Sequence, residues 1–342
     1  MHDIQTGAIS ISTTHSVQQI NTANMKKVAV FPASGKLGAA TYTSLSKLLP
    51  PQQLVLISRH PEKIPEDLIK AGVETRKADY DASETLKDAF NGISYLLLVS
   101  YPSIQIEHRF RVHQNAITAA LDSNPGIEHV FYTSLGFGGD GNPTSAAYVM
   151  QAHLRTEAWL RELSRERSSF SFTVVREGIY SETWPMYTSF FNPNENNSKA
   201  QVPHDGTGPG IAWVCIRDLG EATAKLIKEY VDNPTDPRYI DKIVVLSGPK
   251  DWSLKETVDI LGRLGGGAAS IEEVSVDEHA QNPRVVQELG SHGPGNSVAR
   301  DWTTVFEAVR NGETAVINGE LERLLGRPAE SFAETAKRML AN

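Results

Sequence analysis

The sequence predicts an α/β fold, a Rossmann-like doubly wound parallel sheet with a smaller C-terminal α+β substrate lobe. Three observations predict it. Short apolar runs bounded by turn residues alternate with helical patterns through the first half, the signature of βαβ units. A turn reading Pro32-Ala33-Ser34-Gly35-Lys36-Leu37-Gly38 directly follows the first run and opens a helical pattern. From Gly178 the rhythm breaks into a long stretch rich in aromatics, Asn, Pro and Gly, followed by a tail of mixed pattern.

The predicted strands are 28–31, 54–57, 73–77, 95–99, 129–133 and 171–175. Several are near-continuous apolar runs, as expected where helices cover both sheet faces. Helices are predicted over 36–49, stopped by Pro50-Pro51, and over 83–90, 108–122 and 146–166. The stretch 178–210 is too long for a simple connector and is expected to line or cover a site. Asp218 with Glu221 three residues on reads as a capping box for a helix through Val231. Residues 242–246 form a further strand, 253–264 a helix, "IEEVSV" a short strand, and 303–310 and 331–340 further helices. This divides the chain into a nucleotide-binding domain at 25–177, to which 211–248 returns, and a cap lobe at 178–210 and 249–342. Residues 1–24 are polar and Ser/Thr-rich, without the features of a signal or transit peptide, and are expected to be a poorly ordered leader.

Composition narrows the partners. The 342 residues carry 33 basic and 41 acidic side chains, a net charge of −8, with no Lys/Arg-rich block, so direct nucleic-acid binding is not expected. No run reaches the roughly eighteen apolar residues of a membrane span, and no membrane association is expected. The single Cys215 stands among Ile211, Trp213, Val214 and Ile216, which predicts a small buried hydrophobe and a reducing, cytoplasmic setting. No His/Cys/Asp/Glu set has metal-ligand spacing, and no metal is predicted.

A glycine turn between a strand and a helix binds pyrophosphate because free N–H groups and the positive helix end point at it. Gly35 and Gly38 occupy the positions for close backbone approach and tight helix packing. Pro32, standing where a first glycine is usual, offers no N–H and fixes φ near −65°. Arg59, 21 residues beyond Gly38 at the end of the second strand, stands where an NAD-preferring site places an acid. A guanidinium there suits a 2′-phosphate, so the predicted cofactor is NADP(H).

The blocks "FPASGKLG", "ISRHPEK", "ADYDASETLKDAFNGISYLLLVS", "HVFYTSL", "HLRTEAWLRE", "FTVVREGIYSETW", "WVCIRDLGEATA" and "LLGRPAESF" occur in this order. In that order the chain resembles the NmrA-like branch of the atypical short-chain dehydrogenase/reductases over about 26–332. That branch includes NADPH-dependent quinone reductases and a fungal regulator of nitrogen metabolism. The resemblance implies phosphate contacts from Ser34, Gly35, Lys36, Leu37 and Gly38 and a 2′-phosphate contact from Arg59. It places Asp79 and Tyr80 beside the adenine, Ser100 beside the ribose, and Thr133 and Ser134 near the nicotinamide. Glu177, Gly178 and Tyr180 would close the substrate side.

Ordinary short-chain dehydrogenases use a Tyr-x-x-x-Lys pair, in which the lysine lowers the tyrosine pKa. Here Tyr148 is followed by Val149, Met150, Gln151 and Ala152, so the lysine is absent. Ser134 and Tyr148 keep a plausible interval, but an unassisted tyrosine near pKa 10 is a poor acid at neutral pH. His153 is the second candidate acid/base, with Glu157 one turn on to orient its ring, and the same pair also reads as an ordinary helix contact. Weak acid machinery suits quinones or activated enones, whose reduced anions are stabilised by conjugation. Trp184, Tyr187, Phe190 and Phe191 are candidates to stack on such a flat substrate, or to pack lobe against lobe. Trp213 reads as core, and His204 and Asp205 as solvated turn residues.

The expected function is therefore NADPH-dependent reduction, by hydride transfer, of a small aromatic or quinone-like substrate, a quinone or conjugated aromatic-type carbonyl, with specialised metabolism as the expected setting. The alternatives are an NADP(H)-sensing regulator that binds a protein partner, for which a nuclear location also fits, and an isomerase or dehydratase on the same fold. The sequence leaves monomer and homodimer equally open.

Overall fold

The computed structural model describes residues 25–195, 197–290 and 296–341; the leader expected at 1–24 lies outside them. In chain order the elements are β1 (Val28–Phe31), α1 (Lys36–Leu48), β2 (Leu54–Ser58), α2 (Glu66–Lys70), β3 (Glu74–Lys77), β4 (Tyr95–Leu98), α3 (Ile106–Leu121), β5 (His129–Leu135), α4 (Gln151–Glu166) and β6 (Ser171–Glu177). There follow α5 (Trp184–Tyr187), β7 (Ser198–Val202), α6 (Ile216–Asp232), β8 (Lys242–Leu246), α7 (Leu254–Leu264), β9 (Ala269–Glu273), α8 (Val276–Gln281), α9 (Pro283–Leu289), α10 (Asn296–Arg310), α11 (Glu320–Leu325) and α12 (Phe332–Leu340). Seven parallel strands form one sheet in the order β3-β2-β1-β4-β5-β6-β8, and β7 pairs with β9 in a second, two-stranded sheet. The order reverses between β1 and β4, which opens a crevice at their C-terminal ends.

Strand periodicity explains why both faces are covered. Val28, Val30, Leu54, Leu56 and Leu97 point into a core closed by α1, α6 and α11. Ala29, Phe31, Val55, Ile57, Leu96 and Leu98 point the other way, under α3 and α4. Each of the Val, Leu, Ile and Phe side chains contributes about 1.5–3 kcal/mol on burial, against about 0–1 kcal/mol for a surface ion pair, so this double layer dominates the stability of the sheet. A third core, built on Trp184, Tyr187, Ile211, Leu254, Trp302 and Phe332, holds the smaller lobe. The two helices beside the crevice pack very closely: a Cβ on Gly220 of α6 would fall 2.5 Å from Ala40 Cβ of α1.

Several local expectations are corrected. Residues 83–90 form only a single 3-10 turn, Ser83–Leu86, and α4 begins at Gln151 after the 3-10 turn Tyr148–Met150. The helix expected to be capped by Asp218 starts earlier, at Ile216, whose N–H donates to the Glu182 carboxylate at 3.1 Å. Asp218 is buried in the first turn, where it accepts from Arg327 at 2.8 Å and from the Glu330 N–H at 2.6 Å. It pins the chain that leads into α12. His204 is buried, its Nδ1 accepting the Gly206 N–H at 2.9 Å, while Asp205 stays exposed. Cys215 is buried, as expected.

Glu177 and Gly178 do not close the substrate side. At the end of β6 the Glu177 side chain turns to α6, where Oε1 accepts from the Thr223 hydroxyl at 2.9 Å and Oε2 is buried without a partner among the described residues. Gly178 is a packing position, since a Cβ there would lie 2.6 Å from the Leu246 carbonyl. Burial pushes the Glu177 pKa from 4.5 to about 8, with the Thr223 bond opposing it only in part. Between these two pH values the folded chain keeps a proton that the unfolded chain releases. Stability therefore falls as pH rises from 4.5 to about 8 through this group, with a slope of up to about 1.4 kcal/mol per pH unit.

Two outcomes follow. Glu177→Gln should gain stability relative to wild type as pH rises through that window, read from urea midpoints at several pH values; a constant difference would contradict it. Gly220→Val should destabilise the fold by roughly 1–3 kcal/mol in the same assay, because the α1–α6 backbones must separate.

Candidate active site

The turn after β1 lies in the crevice. Gly35 caps α1 at φ 104°, a backbone conformation that L side chains rarely adopt, and a Cβ on Gly38 would meet the Pro32 carbonyl at 2.7 Å. Pro32 thus keeps the turn compact, with the Ala33 N–H anchored on the Ile57 carbonyl at 2.7 Å. The first turn of α1 has neither a side-chain cap nor an acidic residue, which leaves its N–H groups for an anion beside Lys36. Ser34, Gly35, Lys36, Leu37 and Gly38 line one end of a cleft of about 480 Å3.

Arg59, Asp79 and Tyr80 line the same cleft. The Arg59 side chain is 59% exposed, 4.0 Å from Asp79, and free to meet an anion at the cleft mouth. Tyr80 is buried, donating its hydroxyl to the Val99 carbonyl at 2.9 Å, and offers a ring face rather than a proton. Ser100 donates its N–H to Thr133 Oγ1 at 2.9 Å, joining the ends of β4 and β5. Tyr180 completes the wall. These features fit a dinucleotide phosphate: an uncapped helix end, a cradle that a Cβ would fill, and an exposed guanidinium.

A second cavity, of about 330 Å3, shares Leu37, Val99, Ser100, Pro102, Tyr180 and Thr183 with the cleft and so opens into it. Thr133, Ser134, Leu135, His153, Ser103, Ile104, Val149, Ile179, Met186, Tyr187, Trp302 and Arg109 complete its wall. Tyr148 lines neither cavity; its backbone N–H is tied to Thr304 Oγ1 at 2.8 Å. Ser134 donates its hydroxyl to Glu157 Oε1 at 2.7 Å and can only accept from anything in the cavity. Of the three expected catalytic groups, His153 alone has a hydrogen to offer there.

His153 is not oriented by Glu157. That carboxylate is held by Arg176, at 2.8 and 3.1 Å, with both side chains wholly buried. The ring of His153 is set instead by Tyr132, whose hydroxyl lies 2.8 Å from Nδ1. His113 accepts the Tyr101 N–H at Nε2 (2.9 Å), which assigns its proton to Nδ1, facing Thr156 Oγ1 at 3.1 Å. Thr156 spends its own hydrogen on the Ala152 carbonyl at 2.9 Å. The His113 Nδ1–H also faces the Tyr132 hydroxyl at 3.4 Å, so Tyr132 donates to His153, and the neutral His153 carries its proton on Nε2, which is buried without a partner among the described residues. Burial, then repulsion from Arg109, His113 and Arg176, holds the His153 pKa well below 6.5.

Of the aromatic candidates, Trp184 and Phe191 pack edge-on in the lobe core, and Tyr187 alone reaches the cavity, edge-on to Trp302. Trp213 stacks on Phe332 in the core. Sequence reasoning missed Arg109, Met186 and Trp302. Arg109 sits amid polar residues but shares a helical stripe with Val112, Ala116 and Ala120, and Trp302 leads the spacing Val305, Phe306, Val309; those stripes were the available signal. Among the described residues no group of His, Cys, Asp and Glu could hold a metal, and no helix is long and apolar enough to cross a membrane.

The chain is 30% identical over 259 residues to the NmrA-like family domain-containing oxidoreductase flvB of Aspergillus flavus, covering 75% of this chain and 76% of that protein. It is 27% identical over 317 residues to quinone oxidoreductase 2 of Escherichia coli, covering 91% and 98% of the two chains. The solved structure of the Escherichia coli NADPH-dependent quinone oxidoreductase complexed with NADPH superposes with a TM-score of 0.70 at 25% identity, covering 92% of this chain and 99% of that one. The model of the NmrA-like family matches residues 24–280, most of the chain, and the protein belongs to that family.

Proposed function

We propose that this protein is an NADPH-dependent reductase of quinones or conjugated aromatic-type carbonyls. The observation that carries the reading is the junction of a phosphate-ready cleft with an apolar cavity in which a neutral histidine presents an unclaimed N–H. Ser34 to Gly38 would hold the diphosphate, Arg59 the 2′-phosphate, Asp79, Tyr80 and Ser100 the adenine and ribose side, and Thr133 would stand near the nicotinamide. The segments 25–177 and 211–248 carry that cleft in this reading, and 178–210 with 249–342 cap the acceptor. The named activity of the Escherichia coli relatives supports both cofactor and acceptor class. A reducing compartment such as the cytoplasm suits the single buried thiol.

Bound NADPH supplies a hydride. The chain's own part is to receive the negative charge that appears on the acceptor oxygen. His153 Nε2–H does so as a fixed donor in a dry, apolar site, where such a bond is worth more than in water. A simple ketone would become a basic alkoxide that demands a full proton, which a neutral imidazole gives up poorly. A quinone becomes a phenolate-like anion for which a hydrogen bond suffices. A protein that only sensed the dinucleotide has no evident use for the adjoining cavity, so the enzymatic reading is preferred to the regulatory one.

Calorimetry should show that Arg59→Ala weakens NADPH binding by roughly 1.5–3 kcal/mol and leaves NADH nearly unchanged; equal losses would remove Arg59 from the 2′-phosphate. NADPH oxidation with a small quinone panel should fall on the order of tenfold to a hundredfold in His153→Leu. It should stay within about twofold in Tyr148→Phe, whose hydroxyl lies outside the cavity. Because His153 is already neutral, wild-type turnover should show no loss between pH 6 and 8 of the kind an imidazolium acid titrating near 6.5 produces.

A further inference from the structure

Arg109 projects from the first turn of α3 into the smaller cavity and is, among the described residues, the only charged one on its wall. The side chain is buried, with 7% relative exposure. Its one protein hydrogen bond among the described residues runs from Nη2 to Ser100 Oγ at 3.2 Å, and Nε is buried without a partner. Among the described residues no carboxylate forms an ion pair with it, and burial keeps the neighbouring phenols of Tyr132, Tyr180 and Tyr80 protonated and uncharged. Glu157 is already neutralised by Arg176, and Glu177 is turned away to α6. Arg109 also does not line the cleft that would hold the dinucleotide phosphates. A guanidinium taken out of water without a counter-ion costs several kcal/mol, a cost that an arriving anion offsets.

We propose that Arg109 anchors an ionised carboxylate of the substrate, so that the acceptors of this enzyme are aromatic or conjugated carbonyl compounds bearing that group. The planar fork of unclaimed donors matches the two oxygens of a carboxylate. The apolar remainder of the wall, with Ile104, Val149, Ile179, Met186 and Trp302, suits a flat hydrocarbon body attached to it. This rests on the reading that the cavity receives the acceptor, and it adds what distinguishes one acceptor from another.

The test uses benzoate and benzamide, probes of equal size and different charge, titrated calorimetrically into the full chain saturated with NADPH and into the chain alone. Wild type should bind benzoate roughly ten- to hundredfold more tightly than benzamide, the range of a charge-assisted hydrogen bond. Arg109→Met, which replaces a buried charge with an apolar chain, should abolish that preference and leave NADPH affinity within about twofold. Arg109→Lys, retaining the charge without the fork, should keep part of it and guards against a misfolded methionine variant. Equal binding of the two probes by wild type overturns the proposal. So does a preference that survives in Arg109→Met, or a parallel loss of NADPH affinity, which would assign the arginine to the cofactor. Benzoate preference without turnover of any quinone would sink the reductase reading and leave the anion site standing; quinone turnover without the preference would do the reverse.

Discussion

Glu157 and Arg176 meet with neither side chain exposed, and the arginine's remaining donors reach the Gly138 carbonyl at 3.1 Å and the Asn142 carbonyl at 2.7 Å. One guanidinium thus ties the end of β6, the inner face of α4 and the loop after β5 to a common point. Removing either partner of such a pair leaves an uncompensated buried charge, worth about 3–5 kcal/mol in comparable cases. His153 stands one helical turn before Glu157, so the pair holds the helix that carries it, while Tyr132 sets its ring. The same pair neutralises the acid that accepts from Ser134 of the cavity wall, and Arg109 is the only formal charge on that wall among the described residues.

The site follows from topology as much as from side chains. The reversal of strand order between β1 and β4 supplies the crevice, and the uncapped start of α1 supplies its positive end. The close seat of α1 on Gly220 of α6 holds that end in place. The smaller lobe then brings Met186, Tyr187 and Trp302 over the crevice and converts an open groove into an apolar chamber. Chemistry suited to that chamber is the stabilisation of spread-out negative charge rather than the delivery of strong acid.

The strands of the main sheet were legible because both faces are buried, which writes near-continuous apolar runs into 28–31, 54–57 and 95–98. The phosphate turn was legible because its glycines have backbone reasons to be there. The histidine was legible as a residue but not as a tautomer, since Tyr132 and His113 meet it from other elements and no sequence spacing links the three. Arg109 was hidden by its polar neighbours. Asp218 misled because an acid at the start of a helix looks like a cap, whereas a contact with Arg327 from a distant part of the chain had claimed it. Long-range polar contacts of this kind leave no periodic trace.

The chain of hydrogen bonds running from His153 through Tyr132 to His113 ends on the backbone N–H of Tyr101. No exposed acid or base terminates it, so it is a cul-de-sac for protons. An imidazole at its blind end can brace a negative oxygen but cannot be replenished from behind. If His153 holds the acceptor oxygen as proposed, the proton that completes the reduced product enters from the cavity side, so neutralisation and departure share one route.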